Sequence, residues 1–123
     1  MRIYRFDAEA GRRISHFDSD FVMTRIAHIT GDRKGIADFF IGCMHIGAGG
    51  IVGYHQAATP QLFLVVAGIG WVRGEEETRR PIAPFEAAFW QHGEWHEAGS
   101  EAGMTVFVIE GERVDPARFL PER

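Results

Sequence analysis

Six histidines, one cysteine and 17 Asp and Glu residues are the groups in this chain best able to bind a metal or move a proton. The stretch "GYHQAATPQLFLVVAGIG", residues 53–70, carries His55 a few positions ahead of an apolar run. In it, Ala57 and Gln61 stand where a metal site would want a second histidine and a carboxylate. His96 follows in "QHGEWHEAGS", residues 91–100. Two imidazoles and one amide oxygen, from His55, His96 and Gln61, could hold Zn²⁺, Fe²⁺, Ni²⁺ or Mn²⁺ with waters completing the shell. An amide in place of a carboxylate removes a full negative charge beside a dication, a large loss at low dielectric. Glu86, Glu94 or Glu97 replaces that charge only if the fold turns one of them inward. His45, on the preceding strand, is expected to line the pocket and could serve as a surrogate third nitrogen. The same residues allow a reading without metal, in which His55 and His96 position a small molecule or a water in a polar pocket. Types and spacing leave both readings open.

The remaining reactive groups read as structural. Cys43, inside "DFFIGCMHI", is expected to be a buried thiol, and a single cysteine excludes both an internal disulfide and a cysteine-rich zinc site. His92 belongs to the surface turn "QHGE", and His16 and His28 have no named partner. "HEAGS" lacks the second histidine of H-E-x-x-H, and neither a G-x-S-x-G elbow nor a P-loop occurs. "GAGGIVG" is a strand-connecting turn, because no βαβ unit follows it.

Short apolar runs punctuated by glycine and proline must position these residues, and such runs read as strands. Expected strands are 2–6, 21–29, 36–46, 51–57, 61–68, 69–74, 86–91, 94–99 and 104–111, with "GAGG" (47–50) a turn and "GEEET" (74–78) a hairpin tip. The only helical hint is "VDPARFL", where Pro116 suits a first helical turn. Residues 7–20 read as a mobile loop. Many short, evenly spaced strands point to an all-β sandwich or small barrel. In such a barrel alternate residues face inward, which places Phe63 and Val65 in the pocket with Gln61.

At this level of detail the sequence resembles the cupin superfamily. That family's first motif reads G-x5-H-x-H-x3,4-E-x6-G, and here Gly49, His55 and Gly68 keep its register while Ala57 and Gln61 replace the second histidine and the glutamate. Its second motif reads G-x5-P-x-G-x2-H-x3-N, and here Gly93 and His96 remain while Phe85, Gln91 and Ser100 replace the first glycine, the proline and the asparagine. The resemblance spans about residues 36–111. It implies a cupin-type antiparallel jelly-roll β-barrel, commonly a dimer, with a site in its mouth. It also implies one divalent metal where the motif is complete, and of those ligands only His55 and His96 are retained in kind.

A length of 123 residues implies one domain, read as N-terminal strands and loop (1–35), the motif-bearing core (36–111) and a tail (112–123). A net charge of −4 and a pI near 5.8 argue against a nucleic-acid partner. The absence of a long apolar run argues against a membrane partner, so the cytoplasm is the default location. The expectation is a small-molecule-binding protein of metal-dependent isomerase or dioxygenase type, or a non-catalytic binding or sensing module with a vacated metal site. Residues 2–6 and 21–29 offer edges for pairing in a homodimer.

Overall fold

A computed structural model describes residues 1–29 and 39–123. Ten strands follow one another: β1 (Arg12–Ile14), β2 (Phe21–Ile29), β3 (Phe39–Ile46), β4 (Gly50–Gln56), β5 (Gln61–Gly68), β6 (Gly70–Arg73), β7 (Arg80–Ile82), β8 (Ala87–Trp90), β9 (Trp95–Ser100) and β10 (Met104–Gly111). They form a six-stranded sheet in the order β1-β2-β3-β10-β5-β8 and a four-stranded sheet in the order β4-β9-β6-β7. Every ladder is antiparallel. From β3 onward the chain crosses to the other sheet at each connection except the β6–β7 hairpin, which rolls the two sheets around one interior. Inward residues of both sheets, among them Met44, Val52, Phe63, Val65, Val72, Ala98, Val106 and Val108, fill that interior as a single apolar cluster.

The apolar runs at 21–29, 61–68 and 104–111 become β2, β5 and β10 with the expected bounds. Three expectations change. Residues 2–6 form no strand, because no ladder accepts them; the short edge strand is Arg12–Ile14, inside the presumed loop, paired to β2. That pairing also makes β2 an interior strand and removes it as a free edge. β7 goes unseen in the sequence because it is three residues long and holds Pro81, which tolerates only an edge position. The first residues of the expected 36–46 strand lie outside the described residues, and the C-terminal helical hint is one 3₁₀ turn, Pro116–Arg118.

Three of the motif glycines share one backbone property. Gly49, Gly68 and Gly93 have φ of 74°, 75° and 88°, the left-handed region where a side chain is strained. At Gly68 a Cβ would also run into the carbonyl oxygen of Gly103. The fourth motif glycine is Phe85, and it adopts the same conformation with φ 69°. The motif thus records where the chain must turn, independently of any ligand.

On β3, Met44 and Ile46 point into the core, so Cys43 and His45 lie on the opposite face beneath the N-terminal segment. Cys43 is fully buried there, and burial pushes its thiol pKa up, away from the reactive thiolate.

The Phe85 ring is 94% exposed while its backbone is left-handed. Phe85→Gly removes a left-handed penalty of about 1–2 kcal/mol against about 0.5–1 kcal/mol of added unfolded-state freedom. The expected outcome is a stability gain of up to about 1.5 kcal/mol, read as a higher urea midpoint at unchanged slope. A lower midpoint would mean that the ring makes a stabilising contact worth more than its strain.

Candidate functional site

The centre of the site is a cross-strand pair. His55 of β4 lies directly opposite His96 of β9, with ring centroids 4.3 Å apart and planes inclined at 56°. Simple alternation from the inward Val52 would turn His55 out to solvent. The register shifts between Val52 and His55, and this β-bulge re-aims the imidazole toward the interior. Gly53 sits in the bulge. Its carbonyl accepts from His55 Nδ1 at 2.6 Å, and its N–H donates to Ser19 Oγ at 2.8 Å. A Cβ on Gly53 would collide with the carbonyl oxygen of Phe17, so only glycine admits the segment that crosses here.

Rings on both sides extend the pair into a column. Trp90 stacks on His96 at 4.3 Å and 20°, and Phe63 meets Trp90 edge-on at 5.8 Å. On the other side Phe17 lies on His55 at 4.9 Å and only 8° from parallel. Phe63 and Val65 are buried core residues on the same face of β5 as Gln61, as their spacing predicts.

His96 is 1% exposed, and its Nε2 is a buried atom without a hydrogen-bond partner. Its Nδ1 lies 3.4 Å from the Glu94 carbonyl oxygen, which can only accept, so the ring proton belongs on Nδ1 and the lone pair on Nε2. Desolvation first, and the neighbouring His55 second, bring the His96 pKa down to about 4. In its neutral form His55 has the same tautomer, set by Gly53. Both rings therefore offer a bare Nε2 to whatever enters.

Gln61 is buried at the start of β5, but its amide nitrogen donates to a Glu110 carboxylate oxygen on β10, the residue opposite it in register. Ala57 is buried as well, and its backbone pairs with the turn before β9 through Glu94 O (2.9 Å) and Gly93 N (2.8 Å). The three acidic residues weighed as replacements all have other partners. Glu97 pairs with Arg73 at 2.6 Å, and Glu94 accepts from the Gln91 N–H. Glu86 accepts from Ala83 N and from Arg123, whose hydrogen bond holds that carboxyl below the usual range. His45 does not join the pair: its Nε2 donates to the Phe6 carbonyl at 3.0 Å, on the outer face of the six-stranded sheet. It borders a separate cavity of about 630 Å³ at the Gly47, Gly68 and Gly103 end of the barrel, far from Gln61 and Glu110. Ser100, in the place of the motif asparagine, is a structural pin, with its hydroxyl donating to Ile69 O and accepting from Gly103 N.

A divalent metal is implied by the sequence resemblance, and the donor set can be tested against it. Among the described residues no third His, Cys, Asp or Glu joins His55 and His96 in a metal-holding group. The Glu110 carboxylate beside Gln61 is hydrogen-bonded to it, and an indole covers one face of His96. Two imidazoles without an anionic ligand do not fit a resident dication.

No protein-family model matches the sequence, and no curated protein is similar enough to match. Solved structures do match the fold. The chain has the cupin fold. The polyketide cyclase RemF from Streptomyces resistomycificus superposes with a TM-score of 0.70 at 15% identity, over 92% of this chain and 80% of that one. A predicted oxalate decarboxylase from Thermotoga maritima gives 0.68 at 15% identity, over 86% and 96%. KdgF from Halomonas sp. gives 0.65 at 21% identity, over 87% and 91%. Among the described residues no helix is long and apolar enough to cross a membrane.

Four residues of the site have no sequence-level role. Trp90 is legible only as one ring among many. Phe17, Gly53 and Glu110 depend on a turn, a bulge and a cross-strand register that periodicity does not contain.

The unfolded chain protonates His96 below about pH 6.5 and the folded chain only below about pH 4. Stability should therefore be flat above that window and fall as pH is lowered through it, by about 3 kcal/mol. His96→Gln should remove this acid sensitivity, so the wild-type protein loses about 3 kcal/mol more than the variant between pH 7 and pH 4. Urea unfolding across this range reads the difference, and parallel curves for the two proteins would refute it.

Proposed function

We propose that the chain is a small-molecule-binding cupin that has given up the metal position and holds its ligand on the imidazole pair of His55 and His96. One observation carries this reading: the Nε2 of His96 is an acceptor, buried and without a partner, at the centre of the site. A buried polar atom left unpaired costs about 1–3 kcal/mol, which a ligand hydroxyl or N–H donating to it restores. His55 Nε2 provides a second acceptor beside it, and Trp90 and Phe63 form an apolar wall. Gln61 ties up Glu110 and keeps that carboxylate from competing for the donor. Solved structures of this fold include a polyketide cyclase and a predicted oxalate decarboxylase, names that point to small organic molecules.

The alternative, a metal-dependent isomerase or dioxygenase with His55, Gln61 and His96 as ligands, has one observation in its favour. Both Nδ1 atoms face backbone carbonyls, which leaves both Nε2 atoms free, as a metal would require. Metal content separates the readings. Protein purified without chelator is expected to carry less than a tenth of an equivalent of Zn, Fe, Ni or Mn. Restoring ligands requires Ala57→His and Gln61→Glu, and also Glu110→Gln, because two glutamates in hydrogen-bond contact cannot both ionise at low cost. That triple variant is expected to bind close to one equivalent. A full equivalent in the parent overturns the vacated-site reading, whatever the variant does.

A homodimer is part of the proposal, resting on the resemblance alone. Its edges are β1 and β8 of one sheet and β4 and β7 of the other, not β2. Sedimentation at micromolar concentration should give twice the 13.8 kDa chain mass; a monomer would refute it.

A further inference from the structure

The segment that crosses the imidazole pair is held in an unfavourable conformation. Phe17 and Asp18 are consecutive non-glycine residues with φ of 58° and 57°. The left-handed region strains Phe17 more than Asp18, whose short polar side chain is tolerated there, and strain of this kind persists only where surroundings impose it. The segment is anchored on both sides. Ser19 N donates to His16 O at 3.0 Å, Ser19 Oγ accepts from Gly53 N–H, and Asp20 and Ile51 exchange backbone hydrogen bonds at 2.7 and 3.1 Å. Before the strained pair, the chain is held by β1, where Ile14 pairs with Phe21 of β2. The Phe17 ring itself is 64% exposed, and its recorded ring partner is His55.

We propose that Phe17 is a displaceable plug, occupying the stacking place that a flat, hydroxyl-bearing ring ligand takes on His55. This rests on the small-molecule reading of the site given above. A ring lying 8° from parallel on an imidazole marks a surface suited to another flat ring. The bare Nε2 atom of His96 beyond it calls for a hydrogen-bond donor. A carboxylate ligand is disfavoured, since the protein carries a net charge of −4 and holds Glu110 at this end of the barrel. The ligand class is therefore a neutral phenol or enol of a planar ring system. Its entry exchanges one stacked ring for another by rotation of the Phe17 side chain, while β1 before it and the Ser19 and Asp20 anchors after it keep the segment attached.

Calorimetric titration with 2-naphthol, set against 2-naphthoate, tests this in wild type, Phe17→Gly and Phe17→Trp. Glycine keeps the left-handed turn without strain, so Phe17→Gly is expected to fold with an unchanged or higher urea midpoint. It should bind 2-naphthol at least ten-fold more tightly than wild type, and Phe17→Trp more weakly. All three should prefer 2-naphthol to 2-naphthoate, and ¹⁵N spectra should show the His96 Nε2 resonance moving on binding. If wild type binds with that shift but Phe17→Gly binds no tighter, the plug is wrong and the imidazole site stands. If neither protein binds and the resonance stays still, the small-molecule reading falls and the plug with it.

Discussion

A missing methyl group at Gly53 governs the arrangement around it. Because residue 53 has no Cβ, the carbonyl of Phe17 can pass close over β4. Because the same residue lies in the bulge, His55 faces His96 instead of solvent. Its carbonyl then sets which nitrogen of His55 bears the proton, and its N–H anchors the covering segment through Ser19. Aim, tautomer and cover of one imidazole thus converge on a single backbone unit. A side chain there would disturb all three together, since the space, the bulge and the hydrogen bonds are not separable.

The fold was legible in the sequence to the extent that it depends on period and punctuation. β2, β5 and β10 are long apolar runs bounded by turn formers, and their limits follow from that. Gly49, Gly68 and Gly93 were legible for a related reason: a left-handed backbone leaves glycine as its signature. Phe85 shows the limit of that logic, since it occupies the same conformation without being glycine. β1 and β7, three residues each, owe their existence to neighbouring strands and leave almost no local trace.

For the site, residue type carried further than geometry did. His55 and His96 were recognisable as a pair, and they are in register across β4 and β9. Gln61 was placed on the inner face, but what it touches, Glu110, lies 49 residues away on another strand. His45 shares a strand with core residues, yet alternation from Met44 turns it outward. Phe17 sat in what read as a mobile loop, because nothing local announces a ring that will stack on β4. Contacts between distant segments are what one-dimensional periodicity omits.

The energetics of His96 make a purely structural role expensive. It is among the largest fully buried side chains, in the company of Phe63 and Val65, and the other two carry no polar atoms. Stacking with Trp90 recovers about 0.5–1.5 kcal/mol, while the unpaired Nε2 costs about 1–3 kcal/mol. A phenylalanine would gain the same stack without that cost, so packing alone does not account for an imidazole at this position. Its Nδ1 does not account for it either, because a contact of 3.4 Å to the Glu94 carbonyl is weak. What an imidazole adds over a phenyl ring is an acceptor aimed at the centre of the site. Withdrawn from water and kept neutral, that acceptor gains most from a partner that arrives with its own proton.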